Sequence, residues 1–282
     1  MKKAFCTHTE LKESIDEACL ENSGDDFRLW WLGQSGFLIL WRGKKLLIDP
    51  YLSDSLTGKY AGTDKPHVRI TERVIDPAML PAVDIVTSSH NHTDHLDAET
   101  LIPVFKSSPN ASFVIPEANR QFVCERIGCK SEFPIGLNDG QSFRIHDFVI
   151  NAVPSAHNSI ERDHLGQCVY LGYVISFGPW TLYHSGDTML FDGMEELLRP
   201  FKIDIALLPI NGYDPARRVA GNLDGKQAAD LARDIGARIV IPHHFDMFEF
   251  NTASPELFES SCKKIRQEFC TMQQGESLNF QA

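Results

Sequence analysis

Short apolar runs, separated by turns rich in Gly, Pro, Asn and Asp, divide most of the chain into short segments. Continuous or alternating apolar and β-branched runs predict β-strands, and apolar residues at a spacing of three to four predict helices. The predicted strands cover 27–31, 36–41, 45–48, 83–89, 111–115, 143–145, 148–153, 167–177, 180–183, 203–209, 239–242 and 277–280. The predicted helices cover 8–23, 97–105, 117–127, 189–198, 224–235 and 255–269. This mixture indicates an α/β chain.

The chain has no internal repeat and no linker, so residues 1–282 are predicted to form a single domain. Residues 1–25 are expected to be a helical N-terminal extension. Residues 51–81 are rich in Gly, Pro, Thr and charge and lack sustained periodicity. Because long irregular insertions in compact domains usually cover a site, this segment is predicted to be a lid or substrate loop. Its candidate contacts are Tyr51, Lys59, His67 and Arg69.

The net charge and the cysteine content make some classes of function less plausible than others. The formal net charge is -11, which disfavours a nucleic-acid surface and means that an anionic substrate must be attracted by metal ions or local Arg and Lys. The seven cysteines contain no Cys-x-x-Cys pair, so they indicate reduced thiols and a cytoplasmic location. No segment reaches the length of a membrane span. The acidic chain is compatible with either a monomer or a homo-oligomer.

The strongest chemical signal is the hexad from His90 to His95, which follows the predicted strand at 83–89. Three imidazoles and a carboxylate in one turn are too polar to be buried without a partner. Alternate residues of an extended turn point the same way, so His90 and His92 can share one metal ion while Asp94 and His95 turn towards a second position. Mixed nitrogen and oxygen donors favour zinc, with manganese or iron as alternatives. A solvated loop without function is disfavoured because further donors recur downstream.

Those further donors follow other predicted strands. The pattern of a strand, a polar turn with His or Asp, and a helix occurs at 83–97, 148–158, 180–190 and 239–250. Its donors are His157, Asp187 (presented by a sharp turn at Gly186), and His243 or His244. Ligands at the ends of several strands can converge on one metal centre. Asp49, at the end of the third strand, either braces the metal loop or caps the following turn.

Taken together, these motifs resemble the metallo-β-lactamase superfamily. The resemblance rests on the His-x-His-x-Asp-His loop at 90–95, His157, the Ser-Gly-Asp turn ending at Asp187 and the late His. The closest similarity is to the L-ascorbate-6-phosphate lactonase-like branch, through the motifs at 30–33, 182–187, 208–212 and 241–244. The resemblance implies a four-layer αββα sandwich of two mixed β-sheets, with two divalent metal ions at one edge.

The resemblance also implies roles for individual residues. The first metal ion would be bound by His90, His92 and His157, and the second by Asp94, His95 and His244, with Asp187 as the bridge. His244 matches the late His better than His243, which would be a neighbour or a substrate contact. His184 would be structural or would support a ligand. The histidines outside the motifs, for which a surface or capping role is expected, are His8, His67, His146 and His164.

The loop at 211–223 supplies candidate substrate contacts, although it departs from the pattern of that branch. These candidates are Asn211, Tyr213, Arg217 and Arg218. The arginines would contact an anionic substrate, and a solvated loop is an equal alternative.

Three functions are compatible with these residues. The first is a metal-dependent hydrolase whose two ions activate a hydroxide, oriented by Asp94 or Asp187, for attack on a small-molecule lactone or related ester of a sugar acid, phosphorylated or not. The second is a phosphodiesterase, of nuclease or phospholipase type, on the same metal site. The third is a non-catalytic metal-binding or sensing protein.

Overall fold

The computed structural model describes residues 1–21 and 24–282. Its strands are β1 Phe27–Gly33, β2 Gly36–Trp41, β3 Lys44–Ile48, β4 Ile85–Thr87, β5 Ser112–Pro116, β6 Pro134–Leu137, β7 Ser142–Ile145, β8 Phe148–Pro154, β9 Leu171–Phe177, β10 Trp180–His184, β11 Ile205–Pro209, β12 Ile239–His243 and β13 Ser277–Phe280. Its helices are α1 His8–Glu21, α2 Ser55–Lys59, α3 Ala98–Ser107, α4 Arg120–Ile127, α5 Met194–Leu198, α6 Gly225–Asp234 and α7 Glu256–Ile265.

The strands form two mixed sheets. The first sheet has the order β13-β1-β2-β3-β4-β5-β6, in which β3 to β6 are parallel and the other pairs antiparallel. The second has the order β12-β11-β10-β9-β8-β7, in which β10, β11 and β12 are parallel. Helices lie outside both sheets. The predicted fold class is therefore confirmed.

The first sheet is apolar on both faces because it is covered on both sides. Alternation along β1 sends Leu29 and Trp31 into the core between the sheets. The intervening Trp30 and Leu32 point into a second core beneath the outer helices. Helices α1, α3 and α4 supply the outer side of that second core with Leu11, Ile15, Leu101, Val104 and Val123. The strands of this sheet are thus held rigidly, and the loops leaving their ends are positioned by the sheet.

Three of the differences from the predicted elements have a clear local cause. Strand β6 was not predicted because Pro134–Leu137 is short and lacks alternation, and it becomes a strand by pairing with β5. The helix predicted at 189–198 begins only at Met194, after Gly193 adopts a left-handed φ of 84°. Helix α7 ends at Ile265 because Arg266 is left-handed, and Phe269 then pairs with Val240 beside β12.

The segment 51–81 is anchored at both ends. Near its start, Tyr51 and Leu56 form a small apolar cluster with Met247 and Phe248. Near its end, Val74, Ile75 and Leu80 enter the outer core. The division into one domain with an extension and a lid stays a prediction. Within the described ranges, none of the helices is long and apolar enough to cross a membrane.

Candidate metal centre

Five loops that leave strand ends meet at one edge of the sandwich. The loop after β4 carries the hexad, and the loop after β8 carries His157. The turn after β10 carries Asp187, and His244 follows β12 directly. Asp49 follows β3. The ends of parallel strands lie at the same edge of a sheet, which is why donors far apart in the sequence come together here.

The predicted donors form overlapping groups of three. Within each group, one potential ligand atom per residue lies within 4.8 Å of the others. One group contains His90, His92 and His157, and another contains Asp94, His95 and His244. These are the two sets that the resemblance implies, and they lie side by side because a third group joins His90, His95 and Asp187.

Asp187 lies between the two sets. Its Oδ1 atom is 3.3 Å from His95 Nε2. Its Oδ2 atom is 3.6 Å from His157 Nε2 and 3.3 Å from His244 Nε2. The carboxylate thus lies within 3.6 Å of His157 from the first set and of His95 and His244 from the second, which is the position required of a bridging ligand.

The Nδ1 atoms of these histidines contact the surrounding protein. His95 Nδ1 lies 2.7 Å from Asp49 Oδ2, and His157 Nδ1 donates to the carbonyl of Gly221 at 2.8 Å. Contacts of this type orient an imidazole and leave its Nε2 for a metal ion. The contact from Asp49 favours the bracing role over a capping role, because the residue at the N-cap of the next helix is Asp54.

The electrostatics of the cluster fit a divalent cation. The buried atoms His90 Nε2, His95 Nε2 and Asp187 Oδ1 accept or donate no hydrogen bond within the described chain. Burial, aided by neighbouring imidazoles, holds the pKa of His90 well below its ordinary value, so that this ring is neutral and able to ligate. Burial opposes the charge of Asp187, but His244 and His95 hold its pKa well below the usual range. Burial opposes the charge of His95 and His244, but Asp187 and Asp94 raise the pKa of both rings, to about 9 for His244, so a divalent ion bound here would take the place of their protons.

Arg126 of α4 holds the hexad loop from outside. Its NH1 group donates to the carbonyl of Asn91 at 2.7 Å and to that of Leu96 at 3.1 Å. One guanidinium therefore spans both ends of the loop. Nothing in the sequence indicates this role, because Arg126 is 30 to 35 residues away from the residues that it contacts.

Replacing Asp49 by Asn tests the supporting contact. The carboxylate receives hydrogen bonds from the Ser89 backbone and hydroxyl as well as facing His95 Nδ1, and an amide cannot serve all three. We expect the affinity of the purified protein for zinc to fall about 10- to 100-fold, as measured by competition with a chelating dye. The exposed Asp147 provides the matched control as Asp147→Asn. Unchanged zinc affinity in the Asp49 variant would contradict the bracing role.

A cavity of about 490 Å³ opens onto the cluster. Its walls include His92, Asp94, His157, Asp187 and His244. The rest of the wall includes basic and aromatic residues, namely Lys59, Tyr60, Lys65, His67, Phe122, Arg126 and Arg218. A basic wall in a chain with a net charge of -11 concentrates positive potential where a ligand enters.

Two of the remaining predicted residues lie behind the cluster. The rings of His184 and His243 are buried and stacked, with centroids 5.0 Å apart. His184 Nε2 donates to the carbonyl of Ser35 at 2.9 Å, and His243 Nδ1 lies 3.1 Å from the Ser35 hydroxyl. Neither ring lines the cavity. His244, rather than His243, is therefore the late histidine that faces the donors.

The two arginines of the 211–223 loop, Arg217 and Arg218, have different surroundings. Arg217 donates to the Asn211 carbonyl at 3.0 Å and to Asn251 Oδ1 at 2.9 Å, which holds the loop to its neighbour. Arg218 lines the cavity. Asn211 is buried and Tyr213 is half exposed, and neither contributes to the cavity wall.

The structure adds Gln34 to the site, a residue that sequence reasoning missed. Gln34, in the turn between β1 and β2, donates from Nε2 to Asp94 Oδ2 at 2.8 Å and lies 3.1 Å from His244 Nε2. Its left-handed φ of 49° directs the turn towards the cluster. His67 was expected both as a candidate contact of the 51–81 segment and, since it lies outside the motifs, as a surface or capping residue, and it lines the cavity. Only the irregular composition around His67 hinted at a role, since no motif includes either residue.

Comparison with known proteins agrees with this picture. Residues 44–245 match a family model described as a beta-lactamase superfamily domain. A metal-dependent hydrolase from Caldivirga maquilingensis is 30% identical over 256 residues, covering 89% of this chain and 97% of that protein. Two solved structures, each 22% identical, share the fold. A metallo-hydrolase from Ignicoccus hospitalis has a TM-score of 0.66 and covers 91% of this chain and 99% of its own. An isothiocyanate hydrolase from Delia radicum gut bacteria has a TM-score of 0.71 and covers 90% and 100%.

Proposed function

Because the chain belongs to the metallo-β-lactamase superfamily, as a metal-dependent hydrolase, we propose that its centre binds two divalent ions and hydrolyses a lactone or related ester of a small anionic sugar acid. The observation that supports two ions is the position of Asp187, whose carboxylate contacts His157 of the first donor set as well as His95 and His244 of the second. The mixed donors favour zinc, with manganese and iron as alternatives.

When bound, such ions would supply a water of lowered pKa and a positive charge against the developing oxyanion. The protein's own contribution is orientation. Asp94 and Asp187 line the cavity with ionised oxygens, so each can accept a hydrogen bond from the attacking water. Gln34 binds one oxygen of Asp94 and limits the directions available to that carboxylate.

The cavity supports a small anionic substrate. Its volume suits a small molecule, and the side chains of Lys59 and Lys65 contribute positive charge to its wall, whereas Arg218 is paired with Asp64. The resemblance to the lactonase-like branch supports a carboxyl ester as the reacting group. Homo-oligomer formation and a cytoplasmic location stay predictions.

Phosphodiester hydrolysis is the second candidate, because the same basic wall would also attract a phosphate and a two-metal centre suits displacement at phosphorus. The net charge of -11 argues against a nucleic-acid substrate. A non-catalytic metal-binding or sensing role is the third. It is less well supported, because none of the seven predicted donors is missing from the cluster.

Metal analysis combined with a substrate panel tests the proposal. The purified protein, loaded with zinc or manganese, is assayed on phosphorylated and unphosphorylated sugar lactones and on bis(p-nitrophenyl) phosphate. We expect two metal equivalents per chain and lactone hydrolysis that a chelator abolishes and added metal restores. Hydrolysis of the phosphodiester with inert lactones would favour the second candidate. Two bound equivalents with no hydrolysis of any probe would favour the third.

A further inference from the structure

His67 lies in the segment 51–81, outside every motif of the metal centre. It nevertheless lines the same cavity as Asp94, Asp187 and His244. His67 belongs to the part of the cavity wall that is formed by α2 and the residues after it. The other histidines that line the cavity belong to the proposed ligand set. Its role is therefore separate from metal binding.

The ring of His67 is held in place on several sides. It stacks on Tyr60, with centroids 4.6 Å apart and planes inclined by 28°. The rings of Phe248 and Phe250 meet it edge-on, each at 5.3 Å. The backbone carbonyl of His67 accepts a hydrogen bond from Thr57 Oγ1 at 2.6 Å. An imidazole with three aromatic neighbours and a tethered backbone is positioned far more precisely than a surface histidine.

One nitrogen of the His67 ring forms a hydrogen bond with the protein, and the other forms none with the described residues. Nδ1 lies 2.9 Å from the carbonyl of Lys65, and a carbonyl only accepts, so Nδ1 carries the proton. In the neutral ring the lone pair is then on Nε2, which has no hydrogen-bond partner among the described residues. Burial lowers the pKa of His67, which keeps the ring neutral at neutral pH. His67, a residue of the cavity wall, thus has an unprotonated Nε2 atom in a ring whose position is fixed.

We propose that His67 is a catalytic residue whose Nε2 carries a proton from the attacking water to the leaving oxygen. This inference rests on the proposed hydrolysis. As the water oxygen bonds to the acyl carbon, one water proton moves to Nε2. As the bond from the acyl carbon to the leaving oxygen breaks, the same proton passes from Nε2 to that oxygen. The products are the acid and the alcohol, and His67 ends in its initial state.

The kinetic test compares leaving groups. Gulono-1,4-lactone releases an alkoxide that needs the proton, whereas p-nitrophenyl acetate releases a stable phenolate that does not. In the zinc-loaded enzyme, His67→Gln is expected to lower kcat on the lactone by about 100-fold or more, and kcat on the p-nitrophenyl ester by less than about tenfold. His146→Gln, at an exposed turn, is the matched control and is expected to change neither rate. Equal losses on both probes, or no loss, would overturn the proton transfer.

A second measurement does not depend on activity. Nitrogen-15 NMR of the zinc-loaded protein, with the His67 signals assigned through His67→Gln, reports which ring nitrogen is protonated. We expect the Nδ1-protonated form at neutral pH, with an Nε2 signal that shifts when gulonate is added. A protonated Nε2 in the neutral ring would overturn the proposal. If wild type hydrolyses neither probe while the signals are as expected, the proposed substrate class is wrong and the proton transfer is rejected with it.

Discussion

Replacing Asp187 by Asn is expected to remove both metal ions from the centre and to slow hydrolysis by about 10³-fold. The substitution keeps the shape of the side chain and removes its charge and one of its two acceptor oxygens. Because those oxygens face His95 on one side and His157 and His244 on the other, both donor sets lose a ligand atom or its charge. Metal content per chain, measured by elemental analysis, and the rate on the best probe of the substrate panel check the result.

Two further variants sharpen this test. Asp94 belongs to only one donor set, with His95 and His244, so Asp94→Asn is expected to lose one metal equivalent and keep the other. The exposed Asp147→Asn is expected to keep both. If Asp187→Asn retained two equivalents and the full rate, or lost no more metal than Asp94→Asn, the bridging position would not be functional.

Replacing Gly186 by Ala is expected to have the largest effect on folding. Gly186 adopts a left-handed φ of 60°, which disfavours any side chain by about 1–2 kcal/mol. A Cβ at this position would also lie 2.7 Å from Ser89 Cβ and 3.0 Å from the Leu171 carbonyl, and crowding of this kind costs about 1–3 kcal/mol. We expect the free energy of unfolding in urea to fall by about 3 kcal/mol. Zinc affinity should fall as well, because the turn presents Asp187.

Gly128→Ala separates the two causes. Gly128 follows α4 with a left-handed φ of 70°, and no atom lies within 4 Å of the position of an added Cβ. This variant should therefore lose only about 1 kcal/mol and keep its zinc affinity. Similar losses of stability in the two variants would show that contact with Ser89 contributes nothing.

Much of the fold was predictable because the period of apolar residues is a local property. Asp97 and Asp224 begin helices as predicted, and each side chain accepts a backbone N–H of the first turn. Strand β6 was missed because its only support is pairing with β5. The helix expected at 189–198 was too long because the left-handed Gly193 delays its beginning until Met194. Superfamily membership was also recognisable, whereas the narrower lactonase-like branch stays a prediction.

The residues with metal-binding chemistry can be identified from the amino-acid sequence alone, because that chemistry belongs to the side chains and their spacing along the chain. The hexad at 90–95 and the Gly186–Asp187 turn are local patterns of this kind. Which distant groups face each other depends on the tertiary fold. Packing of the two sheets brings Asp187 between the donor sets, turns His244 towards them and stacks His243 on His184 behind them. It also places His67 against the cavity, since distances between residues far apart in sequence depend on how the sheets and loops pack.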